Sequence, residues 1–172
     1  MKRTFILILL AITSFTACKK DANETAYDKS YKVWQNFKTE SKNSYSYTVN
    51  AGSVFGYGSE TKITVQNGVL VGRDFLSYTL EYTPNNVPNK KIREQWQEDK
   101  ASLGQHNSGA AILTLDQVYQ KAKTEWLAAD KKKNTIYFET NNNGMISGAS
   151  YVPNGCQDDC SIGISISEIK AL

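Results

Sequence analysis

The chain opens MKRTFILILLAITSFTACKKD, and no other stretch so constrains the fate of the whole. Lys2 and Arg3 stand ahead of an unbroken apolar run from Phe5 to Ile12; Thr13 to Ala17 are mostly small, and Cys18 comes next. That order is the architecture of a secretory signal. The run is far shorter than the ~20 residues that a membrane-spanning helix needs. It also lacks the polar spacing and N-cap of a buried N-terminal helix. The sequence therefore divides into an export signal (1–17), a polar tether (18–25) and one domain (26–172).

Export changes the meaning of the charge. The whole chain has 20 basic and 17 acidic side chains, a formal balance of +3. Lys2 and Arg3 leave with the signal, so 18 basic groups face 17 acidic ones. The excess is too small to point to nucleic acid. The densest basic run, Lys131 to Lys133, suits a helix end, where cations meet the negative end of the dipole.

The small residues before Cys18 resemble the lipobox of bacterial lipoproteins, with Phe15 standing where leucine is commonest. The resemblance implies cleavage before Cys18, a thioether-linked diacylglycerol on its sulfur and acylation of the new N-terminus. Each buried methylene adds ~0.8 kcal/mol, and more than one acyl chain makes attachment effectively permanent. Lys19 and Lys20 follow where an aspartate would signal inner-membrane retention, so outer-membrane attachment is expected, on its periplasmic or its surface face.

About 155 residues remain, the size of one domain with a real core. Tyr27, Tyr31 and Trp34 fall on one helical stripe, which predicts a helix from about Ala26 to Lys42. Tyr45, Tyr47 and Val49 alternate as in a strand. Asn67-Gly68 signals a tight hairpin before VLVGRDFLSYTLEYT, one or two strands. KIREQWQED fits a short helix by composition; the shared face of Ile92, Glu94 and Trp96 favours a strand. Thr114 with Gln117 forms a capping box, and Leu115, Val118, Tyr119, Ala122 and Trp126 continue at helical spacing to about Ala129. TIYFET, GMISGASYV and SIGISISEI close the chain as strands. Helix followed by antiparallel strands thus occurs twice, an α+β fold whose sheet is covered by helices on one face.

VWQNFKTESKNSYSYTVN, VQNGVLV, LTLDQVYQKAKTEW, NNNGMISGASYVPNG and DDCSIGISISEI together resemble exported bacterial lipoproteins catalogued as domain of unknown function 6174. The likeness runs from about Tyr31 to Ile169 and is loose between Pro84 and Gly109. Many members carry cysteines just after the first strand, where this chain has NAGSVFGYG. The family brings no established activity, so no catalytic residue is carried over. More remotely, the two halves resemble beta-lactamase-inhibitor-like and peptidase-propeptide-like domains, a likeness of fold that does not fix function.

Candidate chemistry is sparse. His106 is the single histidine, in the polar loop GQHNS, and reads as an ordinary loop residue. One histidine and two cysteines leave a structural zinc tetrahedron incomplete. GSVFGYGSE lacks the Lys-Ser/Thr ending and the following helix of a phosphate loop. It reads as a strand connection exposing Phe55 and Tyr57, or as an aromatic-tipped binding loop. Glu94, Glu98 and Asp99 cluster around Trp96, and a pair of carboxylates at a set separation is what glycoside hydrolysis requires.

Cys156 and Cys160 remain once Cys18 is acylated, an even pair in an oxidising compartment. Residues four apart on an extended strand lie ~13 Å from one another, whereas a disulfide needs Cα atoms within about 7 Å. A bridge therefore requires a sharp turn within 155–161. Redox chemistry favours a spacing of two rather than three, and calcium at Asp158 and Asp159 needs further oxygen ligands. The expectation is a structural staple.

Taken together these features lead to an envelope lipoprotein held to the membrane through Cys18, without cofactor, metal or catalytic residues, that binds an envelope protein or polymer. The alternative is a carboxylate-dependent envelope hydrolase.

Overall fold

The computed structural model describes residues 21–172. The export signal expected over 1–17, the lipidation expected at Cys18 and the first residues of the expected tether lie outside the described residues. Helix α1 (Ala22–Glu40) is followed by strands β1 (Tyr45–Gly52), β2 (Tyr57–Gln66), β3 (Val69–Tyr82) and β4 (Pro88–Asp99). Helix α2 (Leu115–Lys121) then runs into a π-helical turn (Ala122–Trp126), and β5 (Asn134–Glu139), β6 (Gly148–Pro153) and β7 (Ile162–Ala171) complete the chain. The fold is α+β, with one seven-stranded sheet in the order β4-β3-β2-β1-β7-β6-β5. Every pairing is antiparallel, and the first and last strands meet at its centre.

Local chemistry sets the element ends. The Asp21 side chain accepts from the Asn23 amide at 2.8 Å, so α1 begins at Ala22, inside the stretch assigned to the tether. Lys131 reaches the same carboxylate at 2.6 Å and, with the Asn23 amide, holds it below its ordinary pKa. At the other end Lys42 and Asn43 take positive φ (50° and 55°), which stops the helix and aims the chain into β1. Asn67 (φ 50°) and Gly68 (φ 78°) have the paired positive φ values of a type I′ turn. β3 is one strand. β4 is a strand with a bulge: Ser77 pairs with Glu94 and Tyr78 with Ile92, leaving Arg93 between them.

α2 opens with both halves of the expected Thr114–Gln117 capping box. It does not run regularly to Ala129. The Leu127 amide bonds the Ala122 carbonyl five residues back at 2.9 Å, the widened turn of a π-helix.

The core is rich in aromatic rings whose hydroxyls bond to the backbone. The Tyr119 hydroxyl accepts from the Ile146 amide at 2.9 Å and meets the Ser30 hydroxyl at 2.8 Å. Tyr45 accepts from the Leu115 amide at 2.9 Å, and Tyr47 donates to the Leu113 carbonyl at 2.6 Å, fastening the start of α2 to β1. Trp34, fully buried, packs edge-on against Tyr45 at 5.0 Å and donates to Asp116 at 3.0 Å. Rings supply apolar area while their polar tips satisfy backbone groups that burial would otherwise leave unpaired.

Candidate functional site

Of the acidic residues around Trp96, Glu98 is the one drawn inward. Its side chain is fully buried and clasps Arg73 with both oxygens, Nε to Oε2 at 2.8 Å and Nη2 to Oε1 at 2.9 Å. Backbone amides of Gly104 (2.9 Å) and His106 (2.7 Å) donate to the same carboxylate. Arg73 foremost, then those amides, hold Glu98 far below the usual carboxylate range. Arg73 gives two further donors to the carbonyls of His106 (2.7 Å) and Ala110 (3.2 Å). The His106 ring stacks on Trp96 with centroids 4.3 Å apart and planes 5° from parallel, and its Nδ1 lies 3.1 Å from Glu98. This constellation pins the 104–110 loop onto β3 and β4. A carboxylate so fully engaged is a poor proton acceptor or nucleophile.

The neighbouring acids do other work. Asp99 lies one residue on from Glu98 and so faces the opposite side of the strand. It accepts from the Ser102 hydroxyl at 2.7 Å and from the amides of Ala101 and Ser102, forming the turn after β4. Glu94 accepts from Ser108 at 3.2 Å. The three acids do not converge on a common space. No grouping of three His, Cys, Asp or Glu that could hold a metal occurs among the described residues, and no helix among them is long and apolar enough to cross a membrane.

Cys156 and Cys160 stand at disulfide distance, their Cα atoms 6.3 Å apart, in the loop between β6 and β7. The chain turns at Gly155 (φ 82°), where space around the backbone is open. Of the two aspartates between them, Asp159 lines a cleft of about 500 Å³.

That cleft belongs to a feature the sequence barely marks. β1 and β7 pair from Tyr45–Ala171 up to Val49–Ile166, with Ser167 an extra residue on β7, and the ladder then stops. Both strands continue. Asn50 to Gly52 remain paired with β2, and Ile162 to Ser165 with β6, so the sheet splits above Val49. On one face of the split the 500 Å³ cleft is lined by Tyr137, Glu139 and Ser150; on the other a cleft of about 340 Å³ is lined by Leu113, Phe75 and Trp126. Asn50, Ala51, Gly163, Ile164 and Ser165 line both. A third cleft of about 490 Å³ continues along β1 and β2 to Tyr57 and Glu94.

Beyond it, the β1–β2 hairpin exposes Val54 (78%), Phe55 (76%) and Tyr57 (61%). Its tip is braced by the Leu80 amide, which bonds the Gly56 carbonyl at 2.8 Å. The exposure of Phe55 and Tyr57 is as the sequence led one to expect. The split is not; the one sequence sign of it is the small residues at Ala51, Gly52, Gly163 and Ser165. No family model matches the chain, no curated protein matches it, and no solved structure matches it.

Proposed function

We propose that this chain is a lipid-anchored, non-catalytic binding module of the bacterial cell envelope, exported, cleaved before Cys18 and held through that residue at the outer membrane. On this reading it belongs with the lipoproteins of domain of unknown function 6174. It is built as two halves, α1 with β1–β4 and α2 with β5–β7, whose helices lie on one face of the sheet. The observation that carries the binding role is the end of β1, where three clefts converge beside Val54, Phe55 and Tyr57, exposed on a braced hairpin. Exposed aromatic residues on a rigid scaffold are what a protein or polymer partner can grip. Against hydrolysis stands the commitment of Glu98 to Arg73 and backbone amides and of Asp99 to the turn at Ala101 and Ser102, so that neither is placed to act as a pair with Glu94.

The test is capture of envelope proteins and polymers by the acylated chain in detergent, beside a Phe55→Ser, Tyr57→Ser variant. A partner retained by the first and lost by the second is expected. Equal capture by both, or cleavage of an envelope polymer that stops on Glu94→Ala or Asp99→Ala, would overturn the reading. Protease shaving of intact cells, with mass analysis of the N-terminal peptide, tests the anchor separately; an unmodified Cys18 would sink it.

A further inference from the structure

The split between β1 and β7 presents two strand edges to each other. The Ser53 amide bonds the Tyr57 carbonyl at 2.9 Å across the hairpin. Because successive residues of a strand turn their N–H and C=O groups to opposite neighbours, Asn50 and Gly52 direct theirs away from β2, toward β7. On β7 the Ile166 amide bonds the Ser147 carbonyl at 2.7 Å. By the same alternation Gly163 and Ser165 direct their backbone groups toward β1. Among the described residues no strand pairs with either edge above Val49–Ile166. Two of the four residues are glycines, so no side chain screens the backbone at Gly52 or Gly163; the Asn50 carboxamide oxygen accepts from the Ser167 hydroxyl at 3.3 Å, just beyond the last ladder pair. Open edges are templates for another strand, and strand addition draws affinity from main-chain hydrogen bonds and specificity from alternate side chains.

The two faces of the split differ in the way that alternation needs. Trp126, Leu113 and Phe75 supply the apolar lining of one face, beside Lys121, which is ion-paired to Glu125 at 2.8 Å. Glu139 and Asp159 line the other, and neither has a cationic partner among the described residues.

We propose that the split receives an extended segment of another polypeptide, laid along the free edge of β7 with Asn50 and Gly52 across from it. Its alternate residues are apolar toward Trp126 and basic toward Glu139 and Asp159. This rests on the binding-module reading and names its partner's chemistry; it does not depend on the anchor.

The probe is a capped nine-residue peptide alternating lysine and valine, titrated into the full acylated chain in neutral detergent, with amide hydrogen exchange read residue by residue. Binding should slow exchange at Asn50, Gly52, Gly163 and Ser165 at least tenfold. A glutamate–valine peptide should bind at least tenfold more weakly, and a central proline in the lysine–valine peptide should abolish protection. Glu139→Lys with Asp159→Lys, at two exposed positions where replacement should leave the far-ultraviolet spectrum unchanged, should invert the preference between the two peptides. No binding, equal binding of both peptides, or protection elsewhere than at these four amides would overturn the proposal. Envelope partners still captured by the charge-reversed chain would show that the split is not the site while the binding role stands. Polymer cleavage without any captured partner would overturn both.

Discussion

β1 and β7 are one pair of strands with two fates. Over Tyr45 to Val49 they are laddered together and sealed: Tyr45 and Tyr47 are buried, their hydroxyls tied to the start of α2, with Trp34 packed behind. Over Asn50 to Gly52 the same strand keeps β2 but loses β7. The difference lies in side-chain size and one inserted residue. Large rings lock the lower ladder to the helices. Ala51, Gly52, Gly163 and Ser165 offer nothing to interlock, and the extra Ser167 adds the local bend and twist that a bulge brings. Backbone hydrogen bonds alone do not keep two strands together; the packing on their faces decides where a sheet closes.

Breaking the sealed end should cost most. Trp34→Ala removes the largest fully buried side chain and should cost about 4 kcal/mol, read as a fall in the urea midpoint at unchanged slope. Glu98→Gln should cost about 3 kcal/mol, because the Arg73 guanidinium is left buried without its counter-charge. The same residue sets an acid limit. Its folded-state pKa is depressed, so its contribution is complete above the ordinary glutamate value of 4.5 and is lost as pH falls below it. Wild-type stability should therefore drop steeply on that side, and the Gln variant should show a flatter acid limb.

Tyr119→Phe should cost about 2 kcal/mol, since the buried Ile146 amide loses its acceptor. Burial pushes Tyr27 and Tyr45 up to about 12. Between their ordinary value of 10 and that point the unfolded chain sheds protons that the folded chain keeps, so stability should decline as pH rises above 10. At the open end the expectation reverses. Phe55→Ser should change stability by no more than ~0.5 kcal/mol, measured by the same urea curve. A loss comparable to that of Tyr119→Phe would mean that the hairpin tip is part of the core after all.

What the sequence disclosed was local. Asn67-Gly68 carries its turn in two residues, Thr114 and Gln117 their capping box in four, and the spacing of Cys156 and Cys160 already demanded a turn that brings their Cα atoms within bridging range. The start of α1 was hidden by its surroundings: Asp21 caps the helix from inside a polar stretch whose composition suits a tether. The π turn escaped because Leu115, Val118, Tyr119, Ala122 and Trp126 fit a regular helical stripe as well as an interrupted one. Arg73 and Glu98 meet only because β3 and β4 adopt one register. The split is the least legible of all. It depends on how residues near 50 meet residues near 165, and pattern within either segment says nothing about where that meeting ends.

The Cys156–Cys160 loop carries a practical consequence. It forms the rim that holds Asp159 over the 500 Å³ cleft. Chain made in a reducing cytoplasm would fold around the same core with that rim slack, because a bridge across so short a loop contributes only ~2 kcal/mol. Such material would keep the fold, at a lower urea midpoint, and present that rim differently, so a search for partners is best made with protein in which the two sulfurs are joined.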